Sequence, residues 1–364
     1  MTDRRDFIRI AAGTAGALGL YTSGLGAATR RPASTPLDIL ILGGTGFIGP
    51  HQVNGALDHG HTVTIFNRGR RSGAYGNRVE ELIGNRDPNV DDGLQALEGD
   101  REWDVIIDNS GYVPRHVRAS AELLKGRSRR YLYISTVAVY DFDSAVEDFS
   151  EDGPLAPLPD KSVEEVTGAT YGPLKAECDR IVRDVLGDVV TVVRPTYILG
   201  PGDTTDRFTY WVERIHKGGE VLGPSHRELS LSGVDVRDLT DFVFRVIEND
   251  IRGSFNAAGP TYSREGMLWA IRSTTSEPVR FHWATPELIE ELGLSMPMMG
   301  ALAGARPLSF NNEASIAAGA IYRPIADTVV DTHSWWNEQT EERRANPRGW
   351  MSAEQEAEAI ARLG

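Results

Sequence analysis

The stretch that decides the fold is Leu37-Asp38-Ile39-Leu40-Ile41-Leu42, which runs directly into Gly43-Gly44-Thr45-Gly46-Phe47-Ile48-Gly49. The first part is short and rich in Ile and Leu, which is typical of a buried parallel strand. The second part places glycines at 43, 46 and 49, just before a stretch that is compatible with a helix. A turn of this kind brings backbone N–H groups and a helix N-terminus against a pyrophosphate. We therefore predict a dinucleotide-binding turn at 43–49, with Thr45, Phe47 and Ile48 as part of it.

Strand-like and helix-like segments alternate outward from this turn. The runs rich in β-branched or aromatic residues are Thr62–Phe66, Trp103–Asp108, Arg130–Ser135 and Val189–Arg194, with a weaker one at Val79–Ile83. Spacers such as 114–124 and 175–186 are compatible with helices. This alternation predicts an α/β fold with a doubly wound parallel (Rossmann) sheet. We assign residues 36–200 to the dinucleotide-binding Rossmann domain, and 201–364 to a smaller substrate-binding region interleaved with it.

Composition narrows the class of protein. The chain has 364 residues, 40% of them hydrophobic, as in ordinary globular proteins. Its formal net charge of -14 argues against binding a nucleic acid backbone over a broad surface. Cys178 is the only cysteine, so no internal disulfide can form. His59 and His61 fit a turn before a strand, and no group of residues has metal-ligand spacing, so we predict no metal.

The first thirty residues form a separate segment. Arg4 and Arg5, followed by Phe7 and Ile8, precede a Gly/Ala-rich apolar stretch and the small residues 26–28. This pattern resembles a bacterial twin-arginine export signal. The apolar stretch falls short of the ~20 strongly apolar residues that a spanning helix needs. We therefore expect export to the periplasm through the twin-arginine machinery, and not integration into the membrane.

Hydroxyl and amine groups suited to proton transfer follow predicted strands. Ser135 and Thr136 end one strand, and Tyr171 and Lys175 lie four residues apart, on one face of a helix. A tyrosine hydroxyl titrates near ~10, and a nearby ammonium lowers that pKa. A Ser or Thr hydroxyl can hold a substrate oxygen while the tyrosine moves its proton. Between them lies 141–170, an acidic and Pro-bearing segment that predicts a long loop.

Together these motifs resemble an extended short-chain dehydrogenase/reductase of the NAD-dependent epimerase/dehydratase family. Gly43, Gly46 and Gly49 match its nucleotide turn, Thr136 its catalytic Ser/Thr, and Tyr171 with Lys175 its YxxxK pair. The segments 194–203 and 233–239 resemble its Arg-Pro segment and its later Val-Asp-Asp segment. The resemblance covers about 37–260. It departs in the 35 residues from Thr136 to Tyr171, and in Asp108-Asn109-Ser110-Gly111 after the fourth strand.

The resemblance implies roles for individual residues. Thr136, helped by Ser135, orients a substrate hydroxyl, while Tyr171 takes its proton and Lys175 binds the nicotinamide ribose. Asp108 and Asn109 belong to the segment that departs from the family pattern, and we expect them to line the cofactor cleft. The remaining expected cofactor-binding residues are Pro195 and Thr196, and the remaining expected substrate-binding residues are Tyr197 and Arg207. A homodimer is expected by analogy with the family.

The end of the second strand bears on the choice of cofactor. An NAD site usually has an acidic residue there, but this chain has Asn67 and Arg68, followed by Arg70 and Arg71. An arginine suits the 2′-phosphate of NADP. We therefore favour NADP over NAD.

The export signal and the nucleotide turn together suggest a reaction class. A cofactor loaded before export and not exchanged outside is best used in a closed cycle of hydride removal and return. We thus expect epimerisation or dehydration of a sugar or sugar derivative. Two alternatives stay open: an NADP-dependent reductase or dehydrogenase, and a non-catalytic nucleotide- or RNA-binding relative.

Overall fold

The computed structural model describes residues 35–299 and 308–364. The predicted export signal at 1–30 lies outside the described residues. In chain order, the strands are β1 Asp38–Leu42, β2 Thr62–Asn67, β3 Glu80–Ile83, β4 Trp103–Asp108, β5 Ser128–Ile134, β6 Asp148–Phe149, β7 Val190–Pro195, β8 Tyr197–Leu199, β9 Gly219–Gly223, β10 Ser230–Asp235, β11 Gly253–Ala257, β12 Thr261–Ser263, β13 Val279–Trp283 and β14 Ser309–Phe310. The helices are α1 Ile48–Asp58, α2 Pro114–Leu123, α3 Tyr171–Leu186, α4 Arg207–His216, α5 Val236–Glu248, α6 Arg264–Arg272, α7 Pro286–Leu292, α8 Glu313–Ala317, α9 Ile325–Asn337, α10 Glu341–Ala345 and α11 Ala353–Leu363.

A seven-stranded parallel sheet forms the centre of the fold, in the order β11-β7-β5-β4-β1-β2-β3. The apolar residues of β1 are fully buried, as their sequence predicts. Strand β1 pairs with β2 on one side and β4 on the other, so the strand order reverses beside β1. Helices pack over the sheet, and the predicted doubly wound Rossmann fold is confirmed.

The chain beyond residue 200 contributes to this sheet as well as to a smaller region. Strand β11 pairs with β7 at the sheet edge, and α5 packs against α1. Residues on both sides of position 200 thus build one sheet. The smaller region has its own apolar core, which includes Trp211, Leu268 and Met299, and short sheets of β12-β10-β8 and β13-β9.

The acidic segment 141–170 is tied to the rest of the fold at several points. Its short strand β6 pairs in parallel with β14, and the Phe149 ring stacks against Tyr140 and Phe310. The Asn256 side-chain amide donates to the backbone carbonyl of Phe149, and the Asn256 backbone N–H donates to the Glu151 carboxylate. The sequence predicts only a loop here, because a two-residue strand paired across about 160 positions leaves no local pattern.

Among residues 35–299 and 308–364, we find no helix that has both the length and the apolar character to cross a membrane.

Candidate active site

A large cleft opens at the carboxyl ends of the parallel strands, where β1 meets β2 and β4. Its volume is about 1430 Å³. It runs from the glycine turn, past Thr136 and Tyr171, to residues of the smaller region. The sequence-predicted residues that line it are Gly43, Thr45, Gly46, Phe47, Ile48, Gly49, Asn67, Arg68, Asn109, Ser135, Thr136, Tyr171, Lys175, Pro195, Thr196, Tyr197 and Arg207. The fold therefore gathers side chains that are up to about 160 positions apart in sequence into one cavity.

The glycine turn has the shape that an anion site requires. Gly43 and Gly44 have positive φ values of 120° and 84°, which L side chains rarely adopt. A Cβ on Gly49 would lie 2.3 Å from the carbonyl carbon of Gly44, so that glycine permits close packing of helix against turn. A Cβ on Gly46 would meet no atom within 4 Å, because this glycine faces the open cleft. Helix α1 begins at Ile48 without a side-chain cap, which leaves first-turn N–H groups for a ligand.

Thr136 and Tyr171, the hydroxyl-bearing residues predicted to handle a proton, both line the cleft. The Thr136 hydroxyl accepts a hydrogen bond from the Ala138 N–H at 3.2 Å. Burial raises the pKa of Tyr171, while the nearby Thr136 hydroxyl and the Arg207 charge act against this rise. Tyr171 is therefore a phenol at neutral pH that can exchange a proton with a substrate hydroxyl held by Thr136.

Lys175 is oriented differently from the sequence-based expectation. Its ammonium donates to the Gly111 carbonyl at 2.7 Å, the Tyr133 hydroxyl at 2.6 Å and the Ile134 carbonyl at 2.8 Å. The ammonium has three N–H groups, so these acceptors satisfy all of them. Lys175 is not among the groups that shift the pKa of Tyr171 in this structure. The expected lowering of the Tyr171 pKa by Lys175 is thus not seen, because the amine turns inward.

Besides Arg86 Nε, three cleft residues have buried polar atoms with no hydrogen-bond partner among the described residues: Ser135 Oγ, Asn109 Oδ1 and Thr196 Oγ1. All three residues lie at or just after the carboxyl end of a strand of the main sheet. Buried polar atoms are seldom left unpaired, since each costs about 1–3 kcal/mol. A polar ligand in the cleft would supply the missing partners.

Asp108 is the sequence-predicted cofactor residue that does not line the cleft. Its carboxylate accepts from both terminal nitrogens of Arg86, at 3.1 and 3.0 Å, and from the Tyr131 hydroxyl at 2.8 Å. The Ser110 backbone N–H also donates to it. These partners occupy the carboxylate completely, so Asp108 acts as a buried support that holds Arg86 at the cleft wall. The rule that strand ends bind ligands could not reveal this, because the partners lie on other elements.

The turn after β2 presents positive charge to the cleft. The lining residues that follow this strand are Asn67, Arg68, Arg70 and Arg71, and none of these described residues is acidic. The Asn67 side chain donates to Glu81 and accepts from the Gly69 N–H, so it shapes the turn. Arg71 donates to the Thr45 carbonyl at 3.0 Å and links this turn to the glycine turn. Arg68 stays exposed at the cleft.

The far end of the cleft belongs to the smaller region. The Arg207 guanidinium lies over the Tyr197 ring, 5.4 Å from its centroid, and its Nε donates to Thr205. The sequence reasoning missed Tyr112, His116, Ser230 and Arg264, which also line the cleft. Tyr112 and His116 follow the end of β4, so the strand-end rule could have indicated them. No local sequence pattern indicates that Ser230 and Arg264 line the cleft.

An ionic bridge joins two segments that border the cleft. The Arg115 guanidinium donates to both carboxylate oxygens of Asp87 and both of Glu164, at 2.7–3.0 Å. Asp87 lines the cleft, and Glu164 belongs to the acidic segment, whose Phe142 and Gly168 also line it. The bridge therefore fastens the acidic segment to the part of the cleft wall that contains Asp87.

His59 and His61 lie at the opposite end of the sheet, where Glu248 joins them. The Glu248 carboxylate contacts His59 Nδ1 and His61 Nε2. His61 Nδ1 accepts from the Leu37 N–H, which places the ring proton on Nε2, facing Glu248. A neutral histidine in this tautomer donates to Glu248 through the very nitrogen that would bind a metal. The cluster is thus a hydrogen-bonded network in this structure.

Comparisons with known proteins agree with this fold. A model of the NAD dependent epimerase/dehydratase family matches residues 39–258. The chain is 28% identical over 249 residues to the chloroplast stem-loop binding protein of 41 kDa b from Arabidopsis thaliana. That match covers 63% of this chain and spans 61% of the relative's length.

Solved structures resemble the whole fold at low sequence identity. The dTDP-glucose 4,6-dehydratase of Bacillus anthracis, in complex with NAD, has a TM-score of 0.63 at 17% identity and covers 85% of this chain and 99% of its own. The UDP-glucuronic acid 4-epimerase of Bacillus cereus, in complex with NAD, has a TM-score of 0.60 at 14% identity, with 82% and 96% covered. The family match spans more than half of the chain and contains the glycine turn, Thr136, Tyr171 and Lys175. The chain therefore belongs to the NAD dependent epimerase/dehydratase family, a family of enzymes.

Proposed function

We propose that this protein is an NAD(P)-dependent epimerase or dehydratase that acts on a sugar or sugar derivative. The observation that carries the proposal is that one continuous cavity joins an open glycine turn to the Thr136–Tyr171 pair. A dinucleotide whose pyrophosphate lies at the glycine turn would place its nicotinamide ring near Thr136 and Tyr171.

The residues present fit a nicotinamide dinucleotide. Gly46 leaves open space at the turn, and the N–H groups at the start of α1 suit the pyrophosphate. The unpartnered atoms of Ser135, Asn109 and Thr196 offer polar contacts along the cleft. When bound, the nicotinamide supplies hydride acceptance and return, which the side chains of the protein cannot supply.

The protein's own groups would handle the proton and the substrate. Thr136 orients a substrate hydroxyl, and Tyr171, once it has lost its own proton to solvent, takes the hydroxyl proton as the hydroxyl becomes a carbonyl. The resulting phenol returns that proton when the carbonyl is reduced again. Arg207 and Tyr197 at the far end would bind the rest of the substrate. A carbohydrate suits this site because it offers hydroxyls for such transient oxidation.

For the cofactor itself, we propose NADP. Support comes from the exposed Arg68 and from the absence of an acidic residue among the described residues at 67–71 that line the cleft at the turn after β2. A guanidinium binds a phosphate in a bidentate manner, whereas NAD sites use a carboxylate for the ribose hydroxyl. The similar epimerase and dehydratase structures carry NAD, so the identity of the nucleotide has to be measured.

We further propose that the enzyme is exported to the periplasm by the twin-arginine machinery with its cofactor already bound. Arg4 and Arg5 support this, together with a single cysteine that forms no internal disulfide. A retained cofactor favours a closed cycle of oxidation and reduction over net dehydrogenation. A homodimer is also proposed, by family analogy alone.

The similar chloroplast protein, named for stem-loop binding, supports a second candidate function in RNA binding. The net charge of -14 and the Thr136–Tyr171 pair count against it. A gel-shift titration with a stem-loop RNA at increasing salt distinguishes the two, because salt-sensitive binding to RNA is expected only of the second.

The experiment for the proposed enzyme uses purified protein loaded with NADP or NAD. Candidate carbohydrates are added, and the transient reduced nicotinamide is followed by absorbance while products are identified by mass spectrometry. Tyr171→Phe should abolish turnover and spare cofactor binding. Tyr262→Phe, outside the cleft, is the matched control. Full activity in Tyr171→Phe would refute the assignment.

A further inference from the structure

We propose that Tyr133 is a positioning residue for Lys175, and that it keeps the lysine ammonium charged and in place beside the cleft. The inference rests on the proposed function, since it assumes that a nicotinamide cofactor binds there. Tyr133 lies on β5, two residues before Ser135, and its side chain is fully buried.

The Tyr133 hydroxyl contacts both the Lys175 ammonium and the Gly111 carbonyl. The hydroxyl donates to the Gly111 carbonyl at 2.6 Å and accepts from Lys175 Nζ at 2.6 Å. Lys175 Nζ also lies 4.1 Å from the centroid of the Tyr133 ring. The Gly111 carbonyl thus accepts one hydrogen bond from the Tyr133 hydroxyl and one from Lys175 Nζ. Tyr133, Lys175 and Gly111 therefore form a closed triangle of hydrogen bonds.

The three acceptors of Lys175 differ in their freedom to move. The Ile134 carbonyl belongs to the backbone at the end of β5, and the Gly111 carbonyl belongs to the backbone of the loop between β4 and α2, whereas Tyr133 contributes a hydroxyl that can rotate. A cofactor ribose hydroxyl that takes an N–H of Lys175 must replace one acceptor. Tyr133 is the acceptor that can yield without moving the backbone, and its hydroxyl still keeps Gly111 as a partner.

Because Lys175 is buried, the hydrogen bond from its ammonium to the Tyr133 hydroxyl affects whether the amine carries a charge. Lys175 is only 2% exposed, and burial lowers its pKa to about 8. The titratable or charged groups around it are Cys178 and Asp179 on α3, Asp108 on β4, Arg86 after β3, Tyr112 before α2 and Tyr133 on β5. Of these, Tyr133 is the side chain with a hydrogen bond to the ammonium among the described residues. Loss of that acceptor leaves a buried N–H unpaired and favours the neutral amine.

The test is the pH dependence of cofactor affinity, measured by calorimetry with NADPH and, in parallel, NADH on protein freed of nucleotide. Wild-type affinity should weaken above a break near pH 8, because the ammonium then loses its charge. In Tyr133→Phe the break should move down by about one to two pH units, the size expected for one hydrogen bond to a charge. Lys175→Met should show no break.

Tyr131→Phe is the matched control. Tyr131 lies two residues earlier on the same strand and is equally buried, but its hydroxyl donates to Asp108. It should leave the break at its wild-type pH. Urea unfolding of each variant separates a general loss of stability from a moved break.

The outcomes are distinguishable. A break that stays near pH 8 in Tyr133→Phe overturns the positioning role, even though cofactor still binds. Absence of any binding in the wild type contradicts the proposed function instead. If Tyr133→Phe does not fold, 3-fluorotyrosine at position 133 keeps the hydroxyl but weakens its oxygen as an acceptor. The break should then move in the same direction by a smaller amount, and an unmoved break again overturns the proposal.

Discussion

Two glycines of the nucleotide turn should respond to alanine in opposite ways. Gly46 does not have a positive φ, and a Cβ there would meet no protein atom within 4 Å. Gly46→Ala should therefore fold normally, with stability unchanged or raised by about 0.4–1 kcal/mol through reduced freedom of the unfolded chain. The added methyl group would instead occupy the space of the pyrophosphate. Loss of one charge-assisted hydrogen bond, worth about 1.5–3 kcal/mol, weakens cofactor affinity roughly 10- to 100-fold.

Gly49→Ala is the contrasting variant. Its Cβ would lie 2.3 Å from the carbonyl carbon and 2.5 Å from the carbonyl oxygen of Gly44, so backbone must move. Such overpacking costs about 1–3 kcal/mol. We expect this variant to lose stability as well as affinity.

The assays are urea unfolding followed by tryptophan fluorescence, and calorimetric titration with NADPH and NADH. The informative comparison is between the changes in stability and in cofactor affinity that each of the two variants shows. Wild-type affinity in Gly46→Ala would refute the assignment of this turn to the pyrophosphate. Equal losses of stability in both variants would refute the packing argument.

Three further results are expected. Arg194→Met should cost about 3–5 kcal/mol in urea unfolding, because it leaves the buried Asp179 carboxylate without its cation, while Arg252→Gln, in an exposed ion pair, should cost less than about 1 kcal/mol. Glu164→Gln, which breaks one arm of an ionic bridge that is partly exposed, should speed cofactor dissociation by about 1.5- to 5-fold and make the dissociation rate less dependent on salt; a rate equal to that of the wild type at low salt would contradict this. Lys175 has a folded pKa near 8, below its ordinary 10.5, so the unfolded chain binds more protons between these values and the free energy of unfolding should rise with pH there. A slope in Lys175→Met equal to that of the wild type would show that another group is responsible.

The sequence was sufficient for features that depend on local order. The run 37–42 followed by spaced glycines is a local signal, and so is the four-residue spacing of Tyr171 and Lys175. Both predict their elements because neighbouring positions in a strand or helix have fixed relative directions. The family resemblance and the fold class, built on such segments, are confirmed.

Other features depend on partners that are distant in the chain. The position of Asp108 at a strand end predicts a cofactor-binding residue, but its carboxylate accepts hydrogen bonds from Arg86 and Tyr131 instead. Lys175 has the expected spacing, but Tyr133 and two carbonyls direct its amine inward. No local pattern indicates which acceptors a buried amine will find, since that depends on how strands and helices pack.

The acidic segment shows the same limit on a larger scale. Its proline content and charge predict a loop, and most of it has no regular structure. Its attachment comes from Arg194, whose guanidinium reaches the Glu151 carbonyl and the Tyr140 hydroxyl, and from Asn256. These contacts form only after the sheet has brought β5, β7 and β11 together.

The most direct test of the proposed function is to denature the purified protein and identify the released nucleotide by mass spectrometry. We expect close to one nicotinamide dinucleotide per chain, and specifically NADP, retained through dialysis. Recovery of NAD would correct the choice of cofactor and leave the retained-cofactor cycle intact. Finding no nicotinamide nucleotide, together with no binding of NADP or NAD added afterwards, would contradict the proposed function.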